Sequence, residues 1–258
     1  MLVTCATFNY MDMLCMLLAS HRASNPDVPL TVHAIGWPED HLAAARELYP
    51  NAIFQGHPDL DDGGPQEMKG PVPRSAAILR LKVQLLQESY HACDEQVTWV
   101  DADTLLLHPI QPLLERVRAE GDFAVTYRSR KREHARFMVA VMSFTRTERA
   151  GQLLDRYAQI TQQSSGMIKR KPGNEVPWFH DQLALWHAWR ELSRGMLGLP
   201  KRTAPKLVPL SDWEHSIYGA RDGIFVSRRD KVLDLQIMHD IMAERGITLS
   251  SIGDAVES

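Results

Sequence analysis

The run Val97-Thr98-Trp99-Val100 narrows the fold more than any other, because it leads straight into Asp101-Ala102-Asp103 and then Thr104-Leu105-Leu106-Leu107. A short stretch rich in β-branched and apolar residues reads as a strand buried in a sheet. Two ionised carboxylates one residue apart repel each other, and burying them is costly. They fit where a strand ends at a surface and a cation relieves the repulsion. Hard divalent cations such as Mg²⁺ and Mn²⁺ take carboxylate oxygens and share their shell with substrate phosphates. The segment therefore points to a metal–phosphate site at the end of a sheet strand. The plainer reading, a solvated Asp-rich turn, stands beside it.

The elements around this strand alternate. Strands are expected at 2–8, 30–35, 51–55, 97–100, 123–127 and 137–144, with helices at 10–23, 39–48, 74–90, 113–119, 147–160 and 180–194. After residue 200 the pattern predicts short strands near 206–210, 224–226 and 232–237. Breaker-rich stretches at 56–73 and 162–177 read as mobile loops that order when a ligand binds. Strand–helix alternation over the first half predicts an α/β protein with helices on both faces of a mostly parallel sheet. Ligands in such sheets bind beyond the carboxyl ends of the strands, where Asp101 and Asp103 fall. No internal repeat or low-complexity tract interrupts the pattern.

The chain has 258 residues, 44% of them hydrophobic, with a formal net charge of −3. That length carries an ample core, and the absence of a basic excess argues against nucleic acid as a partner. The three cysteines, Cys5, Cys15 and Cys93, have no metal-ligand or disulfide spacing, which favours a reducing compartment. The apolar run 13–19 is too short to span a bilayer. A cytoplasmic protein is expected. The basic cluster Arg128-Ser129-Arg130-Lys131-Arg132 leaves open a peripheral contact with anionic lipid or a phosphorylated substrate, against the plainer reading of a solvated loop.

Four segments together resemble the GT-A type nucleotide-sugar glycosyltransferases, near the glycogenin and bacterial galactosyltransferase group. They are Thr7-Phe8-Asn9-Tyr10 leading into the first helix, Arg80-Leu81-Lys82 before the Asp pair, Trp99-Val100-Asp101-Ala102-Asp103, and Asp181-Gln182 at the start of a late helix. The resemblance implies a GT-A fold and one catalytic domain over 1–258. A nucleotide-binding half over 1–110 would end in the D-x-D, and an acceptor half would occupy 111–258. It implies a sugar transferase with a nucleotide-diphosphate donor, a UDP-sugar first, and a glycan, lipid or protein acceptor. Thr7, Tyr10, Arg80, Lys82, Asp101, Ala102 and Asp103 would line the donor site. Mn²⁺ or Mg²⁺ would sit on Asp101 and Asp103, with His239 as a third ligand after the run 232–238. The Gly and Lys-Pro-Trp that usually continue that histidine segment are absent here.

Helical geometry refines two of these residues. At about 100° per residue, Arg80 shares a polar face with Gln84, Gln87 and Glu88, whereas Lys82 lies among Ile78, Leu79, Leu85 and Leu86. Lys82 is therefore the favoured phosphate or donor contact, against a snorkelling stem with its amine in water. Asp181 shares a face with Leu185, Ala188 and Leu192. It reads as a contact to donor-sugar hydroxyls or to the reacting centre, with Gln182 in support, against a helix N-cap. Tyr10 is suited equally to stacking on the base and to packing on the core. Two rivals stay open: a non-catalytic sugar-nucleotide binder, and a haloacid-dehalogenase-type phosphatase. The phosphatase pattern is poorly matched, because Thr104 follows Asp103 directly.

Overall fold

A computed structural model describes residues 1–58, 74–131, 133, 136–163, 180–194, 202–217, 221–227 and 231–257. The first half alternates strand and helix. β1 (Leu2–Thr7) leads through a 3₁₀ turn (Phe8–Tyr10) into α1 (Met11–Ser24), followed by β2 (Leu30–Ile35), α2 (Glu39–Leu48) and β3 (Ala52–His57). Then come α3 (Arg74–Ala92), β4 (Gln96–Val100), β5 (Thr104–Leu106), α4 (Gln111–Glu120), β6 (Phe123–Tyr127), β7 (Phe137–Thr145), α5 (Glu148–Gln163) and α6 (His180–Ser193). The remaining elements are β8 (Leu207–Pro209), β9 (His215–Ile217), β10 (Phe225–Ser227), α7 (Lys231–Glu244) and α8 (Ile252–Glu257).

A seven-stranded sheet has the order β3-β2-β1-β4-β7-β6-β8, and a three-stranded sheet has the order β5-β10-β9. In the large sheet β1 runs parallel to both β2 and β4, and β2 runs parallel to β3. β6 pairs antiparallel with β7 and parallel with β8. The small sheet joins β10 antiparallel to β5 and parallel to β9.

By its contacts the chain divides into two compact units. One comprises Met1–Asp62, Thr98–Glu115 and Leu210–Ser258; the other comprises Gly63–Val97 and Arg116–Pro209.

In the first unit, β2 alternates apolar residues with Thr31 and His33 in sequence, yet it is buried along its whole length. Gly36, at φ 65°, turns the chain out of that strand. This left-handed conformation is one that glycine adopts without strain. Pro38 then presets the entry to α2, whose first turn carries Glu39 and Asp40 where acids favour the helix dipole. α1 is buried from Met13 to His21, which makes it a core helix rather than a surface one. Tyr49 donates its hydroxyl to the Ser250 carbonyl and so ties the end of α2 to the segment before α8.

In the second unit, α6 contributes an aromatic cluster: Trp186 and Trp189 pack on Phe137 and Tyr127. Asp122 is buried. Its carboxylate accepts the Lys206 N–H and the Thr147 hydroxyl and pairs with Arg149, which answers the cost of burying a charge.

The expected elements of the first two hundred residues are all present, most within two residues of their expected ends. Of the later expectations, the strands near 206–210 and 224–226 are found as β8 and β10. The run 232–237, expected as a strand, lies in α7. An apolar run of that length does not separate strand from buried helix by period alone. β5, β9 and α8 have no counterpart among the expected elements; β5 and β9 are three-residue strands, held by pairing rather than by propensity. The expected loop 56–73 starts as the end of β3 and otherwise lies almost wholly outside the described residues. Of the expected loop 162–177, the first two residues close α5 and the rest lies outside them.

Candidate functional site

The chain leaves β1 through α1 to β2 and on to β3, then returns to the opposite side of β1 as β4. The strand order therefore reverses between β1 and β4. Such a switch point, at the carboxyl ends of parallel strands, is where open α/β sheets bind ligands. Val3 pairs with Trp99, so the carboxyl end of β1, at Thr7, and that of β4, at Val100, open on the same edge. Thr7 is buried and Tyr10 half-buried. Thr7 ends β1 and Tyr10 follows it on that edge, and Asp101 to Asp103 follow β4.

The Asp pair lies in a tight turn. The Thr104 N–H donates to the Asp101 carbonyl at 3.1 Å, closing Asp101 to Thr104 as a β-turn. Both aspartates are half-buried, and Ala102 between them is buried. The indole N–H of Trp99, a fully buried side chain, donates to Asp101 Oδ1 at 2.7 Å. A charge-assisted bond of that kind fixes the carboxylate's direction. In the sequence Trp99 stands out only as part of the strand; the alternation of side chains that brings residue 99 to residue 101 is the signal that would have found it.

The turn passes directly into the small sheet. Thr104, at the start of β5, is buried. Its hydroxyl lies 2.7 Å from Ser227 Oγ, directly opposite on β10. Ser227 Oγ lies 3.0 Å from Nε2 of the buried His215 on β9. The sequence alone does not bring these three polar residues together: β5 and β9 are too short to announce themselves, and the strand expected near 224–226 stops one residue before Ser227.

Two carboxylates half-open to solvent suit a hard cation that fills its shell with phosphate and water oxygens. Among the described residues, no group of three or more His, Cys, Asp or Glu side chains is placed to hold a metal ion. His239, expected after a strand, is exposed on α7 beside the exposed Asp240. It joins no such group among the described residues.

In the second unit the structure brings together two residues that the sequence singles out separately. Lys82 is 4% exposed and Asp181 3%. The Lys82 amine donates to the Val139 carbonyl at 3.0 Å and to Asp181 Oδ2 at 3.4 Å. The amine is thus buried and engaged, which excludes the snorkelling alternative. Asp181 Oδ1 accepts the N–H of the buried Gln182 at 2.8 Å. Asp181 sits inside the first turn of α6 rather than at its cap, and it satisfies one N–H that the helix start leaves unpaired. α3 divides into the two expected faces as well. Gln84 bonds Glu88 and Gln87 bonds Asp155 on the exposed side, while Val83, Leu85 and Leu86 are buried. Arg80 is half-buried. Of the basic cluster, Arg128 is half-buried and Arg130 and Lys131 are exposed; Arg132 lies outside the described residues.

No family model matches the chain, and no curated protein matches it in sequence. Solved structures do match. An active-site mutant of LgtC has 14% identity and a TM-score of 0.55, covering 94% of this chain and 95% of that one. The galactosyltransferase LgtC in complex with donor and acceptor sugar analogs matches at 13% identity and a TM-score of 0.55 over the same shares. The glycosyltransferase GlyE of Streptococcus pneumoniae TIGR4 matches at 10% identity and a TM-score of 0.56, covering 97% of this chain and 64% of that one. The fold is a GT-A glycosyltransferase fold. The sheet expected from strand–helix alternation is the sheet found, with helices packed against it. Among the described residues, no helix is long and apolar enough to cross a membrane.

Proposed function

We propose that this protein is a metal-dependent glycosyltransferase that moves a sugar from a nucleotide-diphosphate donor, a UDP-sugar, to an acceptor. The observation that carries the reading is the D-x-D turn at the switch point between β1 and β4, with its first carboxylate aimed by Trp99. The fold likeness to LgtC and GlyE supports sugar transfer as the general chemistry.

Asp101 and Asp103 would hold Mn²⁺ or Mg²⁺ against the donor diphosphate. When bound, such an ion acts as a Lewis acid toward the leaving phosphate without any proton transfer. Thr7 and Tyr10, at the end of the neighbouring strand, would meet the nucleotide. Trp99 keeps Asp101 in one orientation, so little reorganisation is needed when charge develops.

Residues of the second unit would contribute separately. Asp181 would accept hydrogen bonds from donor-sugar hydroxyls, a role open to a carboxylate with its about four acceptor positions, and Gln182 would support it. Lys82 would keep Asp181 ionised inside a low-dielectric region. Arg80 remains a second cationic donor contact.

The test is a thermal-shift panel of UDP-, GDP- and CMP-sugars with and without Mn²⁺. A ligand at a hundredfold its dissociation constant stabilises the folded state by about 2.7 kcal/mol. A UDP-sugar with Mn²⁺ should raise the melting temperature, and EDTA should cancel the rise. Absence of any shift across the panel would falsify the reading. Donor binding with no turnover over a broad acceptor screen would assign the protein instead as a sugar-nucleotide binder.

A further inference from the structure

The small sheet carries a buried polar row that its packing alone does not require. Thr104, Ser227 and His215 are 0%, 4% and 1% exposed. They stand on three adjacent strands in the order β5-β10-β9. Thr104 and Ser227 are register partners, and their hydroxyl oxygens are 2.7 Å apart. His215 Nε2 then meets Ser227 Oγ at 3.0 Å. Apolar residues of similar size would fill the same space without the cost of desolvating three polar groups.

The position of the row gives it a use. Its first member is covalently next to Asp103 and closes the Asp101–Thr104 turn through its own N–H. The two aspartates are therefore fixed from two sides. Trp99 holds the Asp101 carboxylate from β4. The Thr104 hydroxyl anchors the residue after Asp103 to β10 and, through Ser227, to β9. Groups that hydrogen-bond a metal ligand directly, as Trp99 does Asp101, commonly change metal affinity about 10–100-fold when removed, and an anchor further from the carboxylate acts toward the lower end of that range.

We infer that His215 is a positioning residue for the D-x-D turn, acting through Ser227 and Thr104 to hold Asp103 where it binds a divalent cation. The inference rests on the proposed function and deepens it. His215 touches no substrate; its contribution is the rigidity of the anchor, which a site at the end of a strand needs if its carboxylates are to stay within about 0.5 Å of a working geometry.

The experiment titrates Mn²⁺ in the presence of UDP and reads free Mn²⁺ by electron paramagnetic resonance, alongside the melting temperature. His215→Ala should weaken Mn²⁺ binding about tenfold, the lower end of the range for groups that orient metal ligands. His215→Gln places an amide near the position of Nε2 and should restore most of the affinity. Val226→Ala, in the same strand as Ser227, should lower the melting temperature and leave Mn²⁺ affinity unchanged. Equal loss of affinity in Val226→Ala and His215→Ala would reduce the row to ordinary packing and overturn the inference. So would wild-type affinity in His215→Ala. Should His215→Ala not fold, Ser227→Ala carries the same expectation. A wild-type protein that takes up no Mn²⁺ with UDP overturns the proposed function and this inference with it. Binding that survives every substitution overturns this inference alone.

Discussion

Asp101 and Asp103 stand half-buried in a turn at a strand end, whereas Asp181 is buried beside a lysine amine 3.4 Å away. The first two carboxylates are near neighbours of like charge, and contact with water screens their repulsion. Asp181 could not be ionised at its depth without a cation beside it, because an unpaired buried charge is severely penalised. The difference separates two kinds of acidic residue. A half-exposed pair is open to a cation brought by a ligand, while a buried acid is matched by a cation supplied by the fold. Mutation should therefore reach function first in one region and stability first in the other.

The sharpest way to break this contrast is Asp103→Ala. Transfer from a UDP-sugar should fall about a thousandfold or more, with a melting temperature unchanged to within about 2 °C. A large loss of stability would mean that the turn is structural. The opposite behaviour is expected of Lys82→Met. Stranding Asp181 should cost about 3–5 kcal/mol in denaturant unfolding. The double variant Lys82→Met with Asp181→Leu should recover most of that stability and none of the activity. If the single and double variants were equally unstable, the pair would not be an ion pair in energetic terms.

Smaller effects sharpen the comparison. Trp99→Phe removes the donor to Asp101 Oδ1 and should weaken Mn²⁺ binding about tenfold, measurable in the same titration. The smallest effect is a stability control at His21, which lies in the same unit as the Asp pair. Burial holds the His21 imidazole below its ordinary range, while its contact with the Val28 carbonyl, at 2.8 Å, opposes the shift. A lowered folded-state pKa means that the unfolded chain takes up the proton first. Stability from this group is present above the ordinary histidine value and is lost as pH falls from about 6.5 toward the folded pKa, by at most about 1.4 kcal/mol per pH unit. His21→Gln should flatten that acid limb in unfolding measurements from pH 7 to 5, leaving nucleotide binding at pH 7 intact.

Much of the sheet is legible in the sequence because its strands are uniform inside. β2 and β4 are buried at every position, and the apolar and β-branched residues that dominate them mark them as strands, with ends set by breakers or charge. The Asp pair is legible for the same reason: charge ending an apolar run has few structural explanations. Lys82 and Asp181 are each visible as a charge on an apolar helix face. Their pairing is not, because the two residues are 99 positions apart in sequence, and helical period says nothing about which faces meet. The C-terminal part resists reading for two reasons. β9, three residues long and centred on polar His215 and Ser216, carries almost no periodic signal, and the apolar run at 232–238 satisfies helix and strand alike. His239 follows that run and stands on α7.

β4 of the large sheet ends at Val100 and β5 of the small sheet begins at Thr104, so Asp101, Ala102 and Asp103 form the shortest covalent joint between the two sheets. Any change of angle between β4 and β5 is borne by these three residues. An ion gripped by both carboxylates would act as a rivet on that corner. Donor loading should then damp the motion of the small sheet, and its amide protons in β10 should exchange more slowly in the loaded protein although none of them touches the ligand.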